Sequence, residues 1–352
     1  MRTRTAFVGT YTEGESEGIY TCDVTVGDEP AVRKRAVTQV GDNPSFVALD
    51  PNQQSLYAVH EVETGAVTAF AIGEDDELTP LNRVEIGPAD PCHCRVHPSG
   101  DFLFVAHYTG GAVSVLPIDE DGGVGMPTDV VYHEGSSVHP ERQTAPHPHS
   151  IEPGPDGRYV YVPDLGADEV VRYEFDAADG TLHRAGATSA TPGAGPRHLA
   201  FHLHEPFVFL LNELDSTMTT YARDPETGAL DEIATESTLP PTYDGENLTA
   251  DVHVHPSGRF VYGSNRGHHS IACFEIDRET GELARTGIHS SGGEWPRNFA
   301  IDPTGSLLVT LNMNTANVVA FEINDETGEL TETGAELSLP SPVCMQLHGD
   351  SS

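Results

Sequence analysis

The stretch GPRHLAFHLHEPFVFLLNELDS, residues 195–216, decides the fold. A glycine–proline corner leads into an apolar strand, the chain turns at a polar tip, and a second strand returns to end in Asn212 and Glu213. The same layout recurs in NPSFVALDP from 43, DPCHCRVHPSG from 90, HPHSIEPGPDG from 147, TADVHVHPSG from 249, WPRNFAIDPTG from 295 and SPVCMQLH from 341. Anchored on Pro44, Pro91, Pro148, Pro196, Ala250, Pro296 and Pro342, the repeats are spaced by 47, 57, 48, 54, 46 and 46 residues. A period of about 40 to 50 residues marks a propeller, in which each repeat is one small sheet that buries its faces only against its neighbours.

Each full repeat continues in the same way. A second strand (LYAVHE, LFVAHY, YVYVPD, VFLLNE, FVYGSN, LLVTLN) is followed by a third (AVTAFAI, AVSVLPI, EVVRYEF, TMTTYAR, SIACFEI, NVVAFEI), then by a weaker fourth after a TGEL-type turn. The segments are rich in Val, Tyr, Phe and Ile, as strands are, and none carries a sustained helical period. Six repeats are complete. The seventh is split: PVCMQLH near the C-terminus supplies its first strand, and AFVGTY, GIYTCDV and AVRKRAVTQV near the N-terminus supply the rest. A shared closing blade leaves no free edge. The expectation is an all-β, seven-bladed β-propeller with four antiparallel strands per blade, formed by residues 1–352 as a single domain.

Composition narrows the partners. Fifty-five acidic residues against 18 basic ones give a net charge of −37, and Lys34 is the only lysine. Such charge fits a chain adapted to molar salt, where the Debye length is about 3 Å and self-repulsion is screened. It opposes binding to nucleic acid, whose phosphates would be repelled. No apolar run is long enough to span a bilayer, and MRTRTAFVGTYT lacks a signal-peptide core, so a cytoplasmic location without membrane association is expected. The five cysteines, at 22, 92, 94, 273 and 344, are odd in number and irregular in spacing, and read as reduced buried thiols. CHCRVH at 92–97 invites a metal reading, but on a strand Cys92 and Cys94 face one side and His93 the other, which makes a poor cage. No metal or other cofactor is expected. Oligomeric state is left open.

In a propeller the start of each first strand and the end of each second strand share one mouth. His147 and His149 open one first strand and Asp164 ends its second. Arg197 and His198 open the next, closed by Asn212 and Glu213. Asn265, Arg266 and His268 end another second strand, and Arg297 opens the one after it. Arginines are scarce in this chain, so their convergence implies a shared role, because guanidinium groups clamp phosphate or carboxylate. His149 and Glu213 are the acid–base candidates. The long loop VYHEGSSVHPERQTAPHPHS can fold over the mouth and deliver Arg142. A purely structural alternative has these residues paired with one another to stitch the blades. His97, His202, His204 and His255 lie at the opposite face, and His133 and His139 lie in the long loop; structural or exposed roles suit all six.

The motifs YVPDLGAD, GAGPRHLAFH, NEL.ST, SNRGH.SIA.F.ID and WPRNFAIDPTG resemble the propeller-type lactonase family, whose members include 6-phosphogluconolactonase and which is related to a fungal 3-carboxy-cis,cis-muconate lactonizing enzyme. The resemblance runs from FVGTYT at 7 to PVCMQ at 342. It implies a metal-independent propeller acting on lactones of small anionic acids. Carried over motif by motif, it implies a site of His149 (with His147 as a second option), Arg197, Glu213 and Arg266, with His147, Arg297, Arg142, Asp164 and His198 around the substrate. The sequence departs from the family at Pro148, between the two histidines, and at His60 and His107, where Asn is commoner. The implied reaction is hydrolysis of a sugar-acid lactone, foremost 6-phosphoglucono-1,5-lactone, in carbohydrate metabolism. Lactonizing activity on a carboxylated muconate and a non-catalytic binding propeller are the alternatives.

Overall fold

The computed structural model describes residues 2–349. They form seven four-stranded antiparallel sheets, with no helix among them. Blades 1 to 6 are continuous in sequence, over residues 46–87, 91–132, 152–189, 196–237, 249–290 and 296–338. Blade 7 joins Pro342–His348 to Arg2–Thr10, Ile19–Val26 and Ala31–Thr38, in that spatial order. The C-terminal strand pairs antiparallel with the N-terminal one, Phe7 opposite Gln346. The ring therefore closes as the repeat predicts.

The first strands of neighbouring blades pack side by side around the axis. The apolar clusters lie between blades; Phe104 and Val113 of blade 2, for example, pack with Val160 and Tyr173 of blade 3. Two polar stitches recur on the face opposite the mouth. Tyr57, Tyr161 and Tyr262 each donate a hydroxyl to a glycine carbonyl of the following blade, at Gly122, Gly228 and Gly328. His97, His202 and His255 do the same through Nε2, to Gly157, Gly258 and Gly305. The accepting carbonyls fix the proton on Nε2, leaving Nδ1 to accept backbone N–H groups of the turn. These histidines are satisfied structural groups.

One irregularity builds the mouth. In blades 2, 4, 6 and 7 the residue after the anchor proline is extruded from the ladder as a β-bulge: Cys92, Arg197, Arg297 and Val343. The extra residue bends the strand and re-aims its side chain, and all four line one small axial space with Ser45 of blade 1. The preceding corner turns through positive φ at Asn43, Asp90, Gly195, Trp295 and Ser341. In blade 5 the residue paired like the anchor prolines is Thr249, opposite Asn265, and not Ala250. This corrects the spacings around it to 53 and 47. The bulge also corrects the reading of CHCRVH. Cys92 Sγ faces the carbonyls of Pro148 and His149 in the following blade, whereas Cys94 Sγ faces the carbonyl of Tyr57 in the preceding one. Strict alternation fails because Cys92 sits outside the ladder.

Candidate active site

Glu213 is the centre of the mouth. It follows the last residue of its strand and is 1% exposed. Its Oε2 lies 2.7 Å from Nη2 of Arg266 and 3.0 Å from Nε of Arg197, and its Oε1 lies 2.5 Å from Nη2 of Arg142. Burial alone would raise its pKa, but Arg266, Arg197 and Arg142 outweigh burial and hold the carboxyl down to about 2. The arginines are anchored in turn. Arg266 donates to the carbonyls of Leu248 and Thr249, and its guanidinium lies over the Trp295 ring at 5.4 Å. Arg197 donates to the carbonyl of Ala250. Burial, then repulsion from Arg266 and Arg297, lowers the Arg197 pKa to about 9.

His149 is 5% exposed, with Nε2 3.8 Å from Glu213 Oε2. Burial first, and Arg197 next, push its pKa well below the ordinary histidine value, so the imidazole is neutral at pH 7. Its ring lies edge-on to Tyr108 at 5.2 Å. Arg142 bridges Glu213 and the Tyr108 hydroxyl, the latter at 3.0 Å. The long loop brings it there. Buried Gln143 fixes that loop by donating to the Leu165 carbonyl and accepting from the N–H of His139. Together Arg142, His149, Glu213, Arg266, Arg297, Glu61, Tyr108 and Cys92 line a pocket of about 290 Å³. A larger groove of about 560 Å³, between blades 1 and 2, is lined by Asp50, Asp101, Asp119, Glu120 and Asp121 and holds none of these cations.

The structure gathers His149, Glu213, Arg197, Arg266, Arg297 and Arg142 at one place. It gives the three other candidates places around and beneath the pocket, outside its lining. Asp164 is fully buried at the blade corner. Its Oδ1 accepts the N–H groups of His147, Gly166 and Ala167, and its Oδ2 meets His133 Nδ1 at 2.7 Å, so both oxygens are engaged within the blade corner. His147 stacks on Tyr108 at 4.5 Å and bonds the Tyr108 carbonyl through Nδ1, a support for the pocket wall. His198 lies deeper along the axis, with Nδ1 2.9 Å from Asp251 Oδ1. Burial, then Arg197, lowers its pKa to about 3. The two histidines do not open a full strand either: the ladder of that first strand is Glu152–Pro153, preceded by an isolated bridge at Pro148. Pro146 and Pro148 lack the N–H groups a longer ladder needs.

Tyr11, Ser45, Glu61 and Tyr108 belong to the mouth and were not anticipated. A signal for three of them was present. The residue after each second-strand cap is Tyr11, Glu61, Tyr108, Leu165, Glu213, Arg266 and Met313 around the ring. The cap itself varies without changing its role. Asn265 donates to the Thr238 carbonyl and Ser270 Oγ. His60 spans Asp42 O and Thr68 Oγ1, and His107 spans Pro88 O and Ser114 Oγ. A carbonyl partner puts the proton on Nδ1, so Nε2 accepts from the hydroxyl. Histidine here replaces the asparagine contacts.

Residues 5–347 match the family model described as lactonase, 7-bladed beta-propeller. The chain belongs to this lactonase family. It is 39% identical to the 6-phosphogluconolactonase of Bacillus subtilis over 342 residues, 97% of each chain. It is 32% identical to that of Formosa agariphila, covering 84% of this chain and 86% of the relative. Among solved structures, the periplasmic gluconolactonase of Pseudomonas aeruginosa superposes with a TM-score of 0.94 at 30% identity, over 99% of both chains. The pocket of this lactonase brings together a neutral imidazole, a cluster of guanidinium groups and a buried carboxylate that holds them in place.

Proposed function

We propose that this lactonase hydrolyses 6-phosphoglucono-1,5-lactone to 6-phosphogluconate. The observation that carries the reading is the pocket itself. In a chain of net charge −37, three arginines, Arg142, Arg266 and Arg297, line the pocket beside two carboxylates, Glu213 and Glu61, and a fourth, Arg197, pairs with Glu213 from the axial space beneath. The excess positive charge suits a phosphorylated sugar acid, whose phosphate carries about −1.5 to −2.

His149 serves as the base. Its neutral Nε2 takes a proton from a water as the water oxygen bonds to the lactone carbonyl carbon. Arg142 and Arg266, fixed by Glu213, stabilise the oxyanion that forms. The bond from that carbon to the ring oxygen then breaks, the ring oxygen takes the proton back from His149, and the new carboxylic acid ionises to solvent. Glu213 is not the base: a carboxyl held to about 2 and occupied by three guanidinium groups has little affinity for a proton. Its work is to keep the arginines together against their mutual repulsion. Five buried free thiols fit a reducing compartment, which supports a cytoplasmic place for this activity.

The test is turnover of 6-phosphogluconolactone and glucono-1,5-lactone in molar KCl, with spontaneous hydrolysis subtracted. Preference for the phosphorylated lactone supports the reading. Absence of catalysis above background on both, or turnover of a carboxylated muconate instead, overturns it.

A further inference from the structure

The four arginines of the mouth differ in one respect. Arg142, Arg197 and Arg266 each pair with Glu213. Arg297 makes no ion pair among the described residues. Its one side-chain hydrogen bond is from Nη2 to the Tyr11 hydroxyl, at 2.7 Å, and its guanidinium lies 5.4 Å from the Tyr11 ring centroid. It is only partly buried, and it lines both the mouth pocket and the small axial space beneath it.

A carboxylate stands nearby but is held away. Glu61 Oε2 accepts the Tyr11 hydroxyl at 2.8 Å and the Ser45 hydroxyl at 2.7 Å. The phenol therefore lies between the two charges. Its proton points to Glu61 and its lone pair to Arg297. Burial, with Glu61 alongside, raises the Tyr11 pKa far above its usual value even against Arg297, so it stays a neutral phenol. A direct Glu61–Arg297 pair would neutralise the one mouth arginine that makes no ion pair among the described residues. The ring order adds a second argument. His149, Glu213 and Arg266 come from blades 3, 4 and 5, whereas Arg297, Tyr11 and Glu61 come from blades 6, 7 and 1. The acid–base group and the uncommitted cation thus enter the pocket from different sides of the ring.

We infer that Arg297 binds the substrate's phosphate, and that Tyr11, oriented by Glu61 and Ser45, is the positioning residue that keeps Arg297 available for it. The inference rests on the proposed lactonase reaction for its substrate, but its binding test does not. Tyr11→Phe keeps the ring beneath Arg297 and removes both hydrogen bonds. The variant is expected to lose at least tenfold more kcat/KM on 6-phosphogluconolactone than on glucono-1,5-lactone, chiefly through KM, with an unchanged melting midpoint. Equal losses on both lactones, or no loss on either, overturn the assignment. Calorimetry with 6-phosphogluconate and gluconate separates it from the reaction. Tighter binding of the phosphorylated acid that disappears in Arg297→Ala supports the subsite even if the wild type turns over neither lactone. Equal binding of the two acids by the wild type, or a preference that survives Arg297→Ala, sinks it.

Discussion

Arg266 and Glu213 meet at 2.7 Å across two blades, each from the position just past the end of a second strand. The pair is nearly free of solvent, and Arg197 and Arg142 bind the same carboxylate. One negative charge thus organises three positive ones. Removing one member of a buried ion pair leaves the rest uncompensated, at a cost of about 3 to 5 kcal/mol.

Glu213→Gln should accordingly damage both stability and turnover. The melting midpoint is expected to fall by roughly 4 to 7 °C. His149→Gln removes only the base, so kcat should drop by about 10²- to 10⁴-fold with little change in melting. Calorimetric melts and initial rates on both variants check this. A Glu213→Gln protein as stable as the wild type would show that the carboxylate is not the organising charge.

The acidic limb of the rate profile follows from the same neighbours. The folded His149 pKa lies well below 6.5 because of burial and then Arg197. The protonated ring cannot accept a proton, so kcat/KM is lost as pH falls through that lowered value. Activity should therefore stay level as pH is lowered through the ordinary histidine range near 6.5 and fall only in more acidic buffer. A half-maximal point at or above pH 6.5 would contradict His149 as the base.

The ring was legible in the sequence because every blade repeats corner, strand, turn and strand, and the split blade leaves its first strand at the other end of the chain. The mouth was legible only in part. Arg197, Glu213 and Arg266 stood out as charges in apolar repeats. Asp164 did as well, but a short carboxylate at a strand end is captured by local N–H groups, and periodicity does not show that. Cys92 owes its direction to a bulge, which breaks the two-residue alternation on which strand reading depends. Tyr11 and Glu61 were hidden because their caps are Thr10 and His60, not asparagine.

Those histidine caps predict a stability effect. Burial lowers the pKa of His60 and His107 to about 4. The unfolded chain binds these protons near pH 6.5 and the folded chain does not, so stability falls as pH drops from about 6.5 to 4. The loss is about 3 kcal/mol per histidine at the lower end. His60→Asn with His107→Asn keeps a donor for each carbonyl and removes the titration. The double variant should lose less melting temperature between pH 7 and pH 4.5 than the wild type, with His198 supplying part of what remains. Parallel pH dependence of the two proteins would show that the caps do not contribute.

Salt provides the last prediction. The mouth uses four of the 18 basic residues, so most of the 55 acidic groups have no cation available to pair with them. At 1 M salt the Debye length is about 3 Å, and at 0.1 M it is about 10 Å, long enough for neighbouring surface carboxylates to repel. Folding concentrates that charge and unfolding disperses it, so self-repulsion destabilises the compact ring more as salt is removed. The site behaves differently, because the Glu213 pairs are buried and only weakly screened. Lowering KCl from 2 M to 0.05 M should therefore reduce the melting midpoint progressively, while turnover per folded molecule changes far less. Equimolar NaCl should substitute for KCl if screening is the cause. A midpoint that does not move across this range would refute the adaptation to salt, and a midpoint that depends on which cation is present would assign the effect to bound ions instead of screening.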